Sequence, residues 1–352
     1  MSLKNPDQLL KPTTSQSARM GDSERQKQSL RPLRWLELLL ERNFVLAAWA
    51  IVVVIFGSLR PSTFLTLGNW AAIFGSQAVL VILTLGLILP LIAGDYDLSV
   101  GGTLTLSTMM VGVLNAEQGM NIWLVMLLAL AMGAGVGAVN AGFILVFGID
   151  PFIVTLGIGT VDLGLTLLIS RSHTIAGVSP GLTAVTVSDR FLGIPLEFYY
   201  GLALCVIIWY LLNHTAIGLR LLAIGRGREV ARLSGINVSR LRFWALVCSG
   251  FVAAGAGIVY AGTTGSADPS SGATYLLPAF AAAFLGATTI VPGRFNPWGS
   301  VIAAYFLITG ITGLTLLGYG SYVQDLFYGG ALVVAVALSQ VVRRREAQQI
   351  TG

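Results

Sequence analysis

The run Gly94-Asp95-Tyr96-Asp97-Leu98-Ser99-Val100-Gly101-Gly102 sets two carboxylates, a phenol and a hydroxyl between two apolar stretches. Groups so spaced can hold the hydroxyls of a polar solute or take up a proton or small cation. Asp97 or Ser99 can also cap a helix beginning near Val100. The glycines on both sides would interrupt a helix, and interrupted helices in transporters line the substrate route. The residues alone leave lining and capping both open.

Further polar residues sit within neighbouring apolar stretches: Gln77, Asn140, Thr155, Asp162 and Thr166. A charge at bilayer depth costs at least ~2.5–3.5 kcal/mol. Asp162 is therefore the costliest of these, and it either lines a polar route or pairs with a neighbouring helix. Asn140 reads as an interhelical hydrogen bond, worth ~0.6 kcal/mol on average. A different chemistry belongs to the segment from Leu222 to Val238, which is rich in arginine and glycine. Glu229, Ala231, Arg232 and Leu233 suit a short helix, and Gly235 its C-terminal cap. Such an element could dock another protein, or it could be a solvated basic loop.

Catalysis finds little support. Cys205 and Cys248 lie in apolar runs, and His173 and His214 are far apart. No nucleophile–base pair or zinc-type spacing results. The lysines are Lys4, Lys11 and Lys27. A phosphate-binding GxxxxGK[ST] loop is therefore absent, and ATP-driven work needs an ATPase on another chain. No cofactor is expected on this one.

These groups must be positioned by membrane helices. Hydrophobic residues make up 55% of the 352, charged residues 11%, and the mean hydropathy is +0.79. That leaves too few charges for a water-facing surface, where about 25% is usual. Residues 1–42 hold eight Lys/Arg and five Asp/Glu, and long later stretches hold none. The sequence predicts a cytoplasmic tail over 1–29 and a helix at the membrane surface over 30–42. A transmembrane domain is expected over 44–342 and a second cytoplasmic tail over 343–352.

Apolar segments predict about ten spans: 44–59, 70–93, 98–116, 122–147, 151–170, 197–213, 241–262, 275–291, 297–317 and 322–342. The first and eighth are short, and the second could be broken. With the N-terminus inside, the connection 214–240 also falls inside, carrying Arg220, Arg226, Arg228, Arg232 and Arg240. Arg343, Arg344 and Arg345 follow the last span on the same side. This satisfies the positive-inside rule with both termini cytoplasmic. Basic residues at span ends read as membrane anchors, and no nucleic-acid motif accompanies them. Gly133, Gly137 and Ala141 form one small-residue stripe, and Ala253, Gly257 and Ala261 another, as expected where membrane helices pack closely.

The segment AIGRGREVARLSGINV resembles the signature loop of ribose-permease-like permease subunits of monosaccharide ABC importers. GDYDLSVGG is similar to that family's GGIDLSVG, and DPFIVTLGIGT to its PFIATLGT. LPAFAAAFLGATTIVPGRFNPWGSV resembles its apolar run followed by GGTSLFGGRGSV. The four occur in the family's order across roughly 70–342. Two departures stand out: Asp95 replaces a common glycine, and Phe295-Asn296-Pro297-Trp298 interrupts a glycine-rich stretch.

The resemblance implies an all-α polytopic bundle of the type II ABC importer permease kind in a bacterial inner membrane. It implies a dimer of permeases, two cytoplasmic ATPase subunits and a periplasmic sugar-binding protein. Gly225, Arg226, Glu229, Ala231, Ser234 and Gly235 would couple to the ATPase, with Arg228 and Arg232 on the same segment. Asp95, Tyr96, Asp97, Ser99, Phe152 and Thr155 would lie near the solute route, joined by Asn140 and Asp162 as polar residues within spans. Two other classes remain to be discriminated, an ion-gradient carrier using Asp95, Asp97 and Asp162, and a membrane enzyme.

Overall fold

A computed structural model describes residues 44–351, with side chains through Ala337. The expected tail and surface helix over 1–42 lie outside the described residues. Helices follow the apolar runs: α1 (Phe44–Leu59), α2 (Leu67–Ser76), α3 (Ala78–Ile92), α4 (Val100–Val111), α5 (Ile122–Val146), α6 (Pro151–Ser170) and α7 (Leu196–His214). After them come α8 (Ala216–Arg226), α9 (Arg228–Leu233), α10 (Val238–Thr264), α11 (Ala273–Gly286), α12 (Pro297–Leu316) and α13 (Tyr322–Thr351). Strands are two-residue pieces: β1 (Ile175–Ala176) pairs antiparallel with β4 (Ser266–Ala267), and β2 (Arg190–Phe191) with β3 (Ile194–Pro195).

Local sequence explains the helix starts. Thr66, Asn121, Asp150, Thr215, Asn237 and Asn296 each accept a backbone N–H in the first turn of the helix they precede. Such caps satisfy donors that hydrocarbon would leave unpaired. The second expected span is indeed interrupted, with α2 and α3 meeting at Gln77.

Six stretches among the described residues are long and apolar enough to cross a membrane: 67–92 and helices α5, α6, α7, α10 and α12. Ten were expected. Phe44–Leu59, Ala273–Gly286 and Tyr322–Ala337 are apolar but shorter. The expected span 98–116 is α4 followed by a π-helical turn, Gly112–Glu117.

The core gathers around α3, α4 and α10. Every residue of α3 is buried, a helix apolar on all sides and enclosed by its neighbours. The stripe Gly133–Gly137–Ala141 on α5 meets α10 at Leu246, Gly250 and Ala254. A methyl group on Gly250 would stand 2.2 Å from the Gly133 carbonyl oxygen. Gly257 of the second stripe faces α4 instead, against Leu104 and Ser107.

Gly250→Ala is expected to lower stability by roughly 1–3 kcal/mol, because two backbones must separate. Gly142→Ala, with open space around it, should be neutral or better. Thermal unfolding of both variants in detergent, followed by size exclusion, checks this. Equal melting temperatures would contradict the close-packed account.

Candidate functional site

The Gly94–Gly102 run lies at the junction of α3 and α4, and α5, α6, α9, α10 and α11 all reach it. Gly94 takes φ +79° and turns the chain out of α3. Asp95, wholly buried, then meets two guanidinium groups. Arg228 Nη2 donates to its Oδ1 at 2.7 Å, and Arg242 donates from Nε to Oδ2 and from Nη2 to Oδ1, both at 2.7 Å. Arg228 also donates to the carbonyls of Ala93 and Gly94, at 3.0 and 2.9 Å. The start of α9 is thus tied to the α3–α4 junction and, through one carboxylate, to α10. A glycine in this position would leave Arg242 without a counter-charge and Arg228 with only the two carbonyls. The sequence-based expectation placed Asp95 beside the solute route; in the structure its carboxylate is engaged in an ion-pair node.

Asp97 begins a second network. It accepts from Ser99 N at 3.1 Å, Ser99 Oγ at 2.6 Å and Ser249 Oγ at 2.7 Å. Asn140 Nδ2 donates to Ser99 Oγ at 2.8 Å. The chain α5–Asn140–Ser99–Asp97–Ser249–α10 is buried throughout. Asp97 caps the Ser99 N–H just before α4, while the Ser99 side chain caps nothing. Asn140 Oδ1 has no partner among the described residues.

On α6, Thr155 accepts from Leu98 N at 3.0 Å and donates to Tyr96 O at 3.1 Å, clipping α6 to the junction. Asp162 accepts from Thr103 at 2.9 Å and so holds α4. Tyr96 is half exposed and stacks on Phe284 of α11, ring centroids 6.5 Å apart. Phe152 is also half exposed, on the outer part of α6, and joins none of these networks.

The expected coupling segment folds as two short helices. Gly225 of α8 touches the end of α3 so closely that a methyl group would stand 2.0 Å from the Ile92 carbonyl oxygen. Glu229, Arg232, Ser234 and Gly235 are exposed, as are Gly225 and Arg226. Glu229 and Arg232 pair with each other at 3.3 Å on the surface. Ala231, expected among the outward coupling residues, is 3% exposed and packs on its own bundle. The outward apolar residues are Val230 and Leu233, 69% and 86% exposed.

Sequence reasoning missed three partners. Arg242 and Ser249 lie seven residues apart on α10, two turns along one face, and that spacing was a legible signal. Thr103, on α4, offered none. It also missed Glu197, which stood at a span boundary; the structure buries it to 2% exposure, accepting from the Thr263 hydroxyl.

A family model described as "Branched-chain amino acid transport system / permease component" matches residues 69–336. The D-allose transport system permease protein AlsC of Escherichia coli K12 is 31% identical over 84% of this chain and 90% of its own. The ribose import permease protein RbsC of the same strain is 30% identical over 83% and 91%. The autoinducer 2 import system permease protein LsrD of Salmonella typhimurium LT2 is 31% identical over 76% and 85%. No solved structure matches.

Asp95→Asn should destabilise the fold by about 3–5 kcal/mol, because it leaves Arg242, largely buried, without its counter-charge. Arg228→Gln should cost less, since Arg228 is 39% exposed and water can replace part of what it loses. Melting temperatures in detergent rank the two, and the reverse order would refute this reading of the node.

Proposed function

The chain belongs to the family of the branched-chain amino acid transport system permease component, and from that premise we propose that it forms the membrane path of an ATP-driven importer for a monosaccharide or similar small polyhydroxylated solute. It is a transport subunit of the inner membrane, not an enzyme. The sugar class rests on two relatives named for D-allose and ribose.

ATP is hydrolysed on partner subunits at the cytoplasmic side, where both termini lie, and a periplasmic binding protein delivers the solute. We read the bundle as ten membrane passes, the shorter apolar helices and α4 completing theirs together with adjoining non-helical residues under the cover of their neighbours, and the working unit as a permease dimer of the type II kind. One observation carries the coupling role. Helix α9 exposes Val230 and Leu233, while its first residue, Arg228, and Gly225 of α8 grip the end of α3. An ATPase seated on α9 would therefore move the junction that holds Asp97 and Ser99. Through that junction, alternating access of a central path can follow. An ion-gradient carrier needs carboxylates free to bind ions, whereas Asp95, Asp97 and Asp162 are each engaged by side chains of other helices.

Leu233→Asp should reduce co-purification of the ATPase and ATP-dependent uptake by about tenfold or more, as at other interface anchors. Because Leu233 is exposed, the variant should stay monodisperse. Unchanged uptake would remove the coupling role of α9. Gradient-driven uptake without ATP, by liposomes holding this chain alone, would overturn the importer reading.

A further inference from the structure

Helix α11 does not begin where α10 ends. Helix α10 is 27 residues long, about 40 Å, enough to cross a hydrocarbon core of about 30 Å. Helix α11 has 14 residues, about 21 Å, and cannot. The packing of the intervening residues shows where the missing depth goes.

Helix α4 runs parallel to α10, and its contacts give a scale of depth. Asp97 meets Ser249, Ser107 donates to Ala254 O, and Thr108 donates to Gly257 O. Ala267 lies against Gly112, at the far end of α4. Gly272 lies against Gly101, at its near end, and Gly272 N donates to Thr105 Oγ1 at 2.8 Å. Gly101 and Gly112 are separated by about 16 Å of helix. Between Ala267 and Gly272 the chain descends through turns rather than α-helix, Ser271 N donating to Asp268 O and Ala273 N to Ser270 O. Residues 267–272 therefore return down the side of α4 without helix, and α11 starts opposite the middle of α10.

One side of this return is open. Ser270, Ala273 and Thr274 are exposed at that depth. Irregular backbone at membrane depth is not found against lipid; it is covered by protein or lines a water-filled cavity. The composition selects between these. The segment presents Asp268, Ser270, Ser271 and Thr274, which dry protein packing would not favour. The Ser271 hydroxyl is buried yet has no hydrogen-bond partner among the described residues. Tyr260 and Tyr275, ring centroids 5.8 Å apart, flank the return and offer aromatic faces.

We infer that residues 268–274 line the solute route and bind a neutral polyhydroxylated solute midway across the membrane. The inference rests on the importer reading and names the binding segment for it. Asp268, Ser270, Ser271 and Thr274 supply hydrogen bonds to hydroxyls, and Tyr260 and Tyr275 cover the apolar face of a ring. This goes beyond the sequence-based expectation, which placed the route at residues 95–99, Asn140, Phe152, Thr155 and Asp162 and left 263–274 between two spans.

The test uses thiol accessibility. Cys205 and Cys248 are replaced by alanine in the full chain, expressed with its importer partners in native membrane vesicles. Ser270→Cys and Thr274→Cys are compared with Ile207→Cys, exposed midway along α7. A charged methanethiosulfonate should modify the first two at least about tenfold faster, since a thiol ionises in water and not in apolar surroundings. Modification should also block ATP-dependent uptake of whichever pentose, hexose or polyol the unsubstituted complex imports. Reaction as slow as at position 207, or modification that leaves uptake intact, would overturn the inference. If the unsubstituted complex imports none of these solutes, the importer reading fails instead, whatever the thiols show.

Discussion

Hydrocarbon supplies no hydrogen bonds, and each polar group at membrane depth must find its partner within the chain. That constraint accounts for the arrangement around α10. The helix is approached by α5 through glycine, by α4 through glycine and hydroxyls, and by the α3–α4 junction through charge. Close backbone approach at Gly133 and Gly250 brings Asn140, Ser99, Asp97 and Ser249 within bonding distance. Without it the carboxylate of Asp97 would keep only its local bonds from Ser99.

Asp95 extends the same logic to the end of the bundle. A wholly buried carboxylate is costly alone, and here two arginines from different segments converge on it. A buried pair of this kind gives little net stability over an apolar replacement, but losing one partner is expensive. Its effect is geometric: the start of α9, the α3–α4 junction and α10 cannot shift independently. Docking at Val230 and Leu233 would therefore be felt at Asp97 and Ser99, a few residues away, rather than dissipated in a loose loop.

The non-helical return at 267–272 runs along α4 from its far end toward the α3–α4 junction. Each is irregular backbone enclosed by the bundle, and each replaces part of a helix that could have continued. Gly101 and Gly272 touch where the two features meet, so α4 is the element through which motion at one would reach the other.

The sequence by itself determined the solvent, the helices and the family. Apolar runs, caps such as Asp150 and Asn296, arginine bias and four ordered motifs are local signals, each readable over a few residues. It also marked Asn140, Asp97 and Gly225 as residues with a reason to be where they are. Tertiary structure decided the partners. Asp95 meets Arg242 across 147 residues of chain, and nothing local distinguishes an ion-pair node from a route-lining carboxylate. Ala231 turned inward and Leu233 outward because α9 sits on the bundle by one face. The depth of residues 267–272 was invisible for the same reason. A short polar segment between two apolar runs reads as an external loop until the neighbouring helix supplies a ruler.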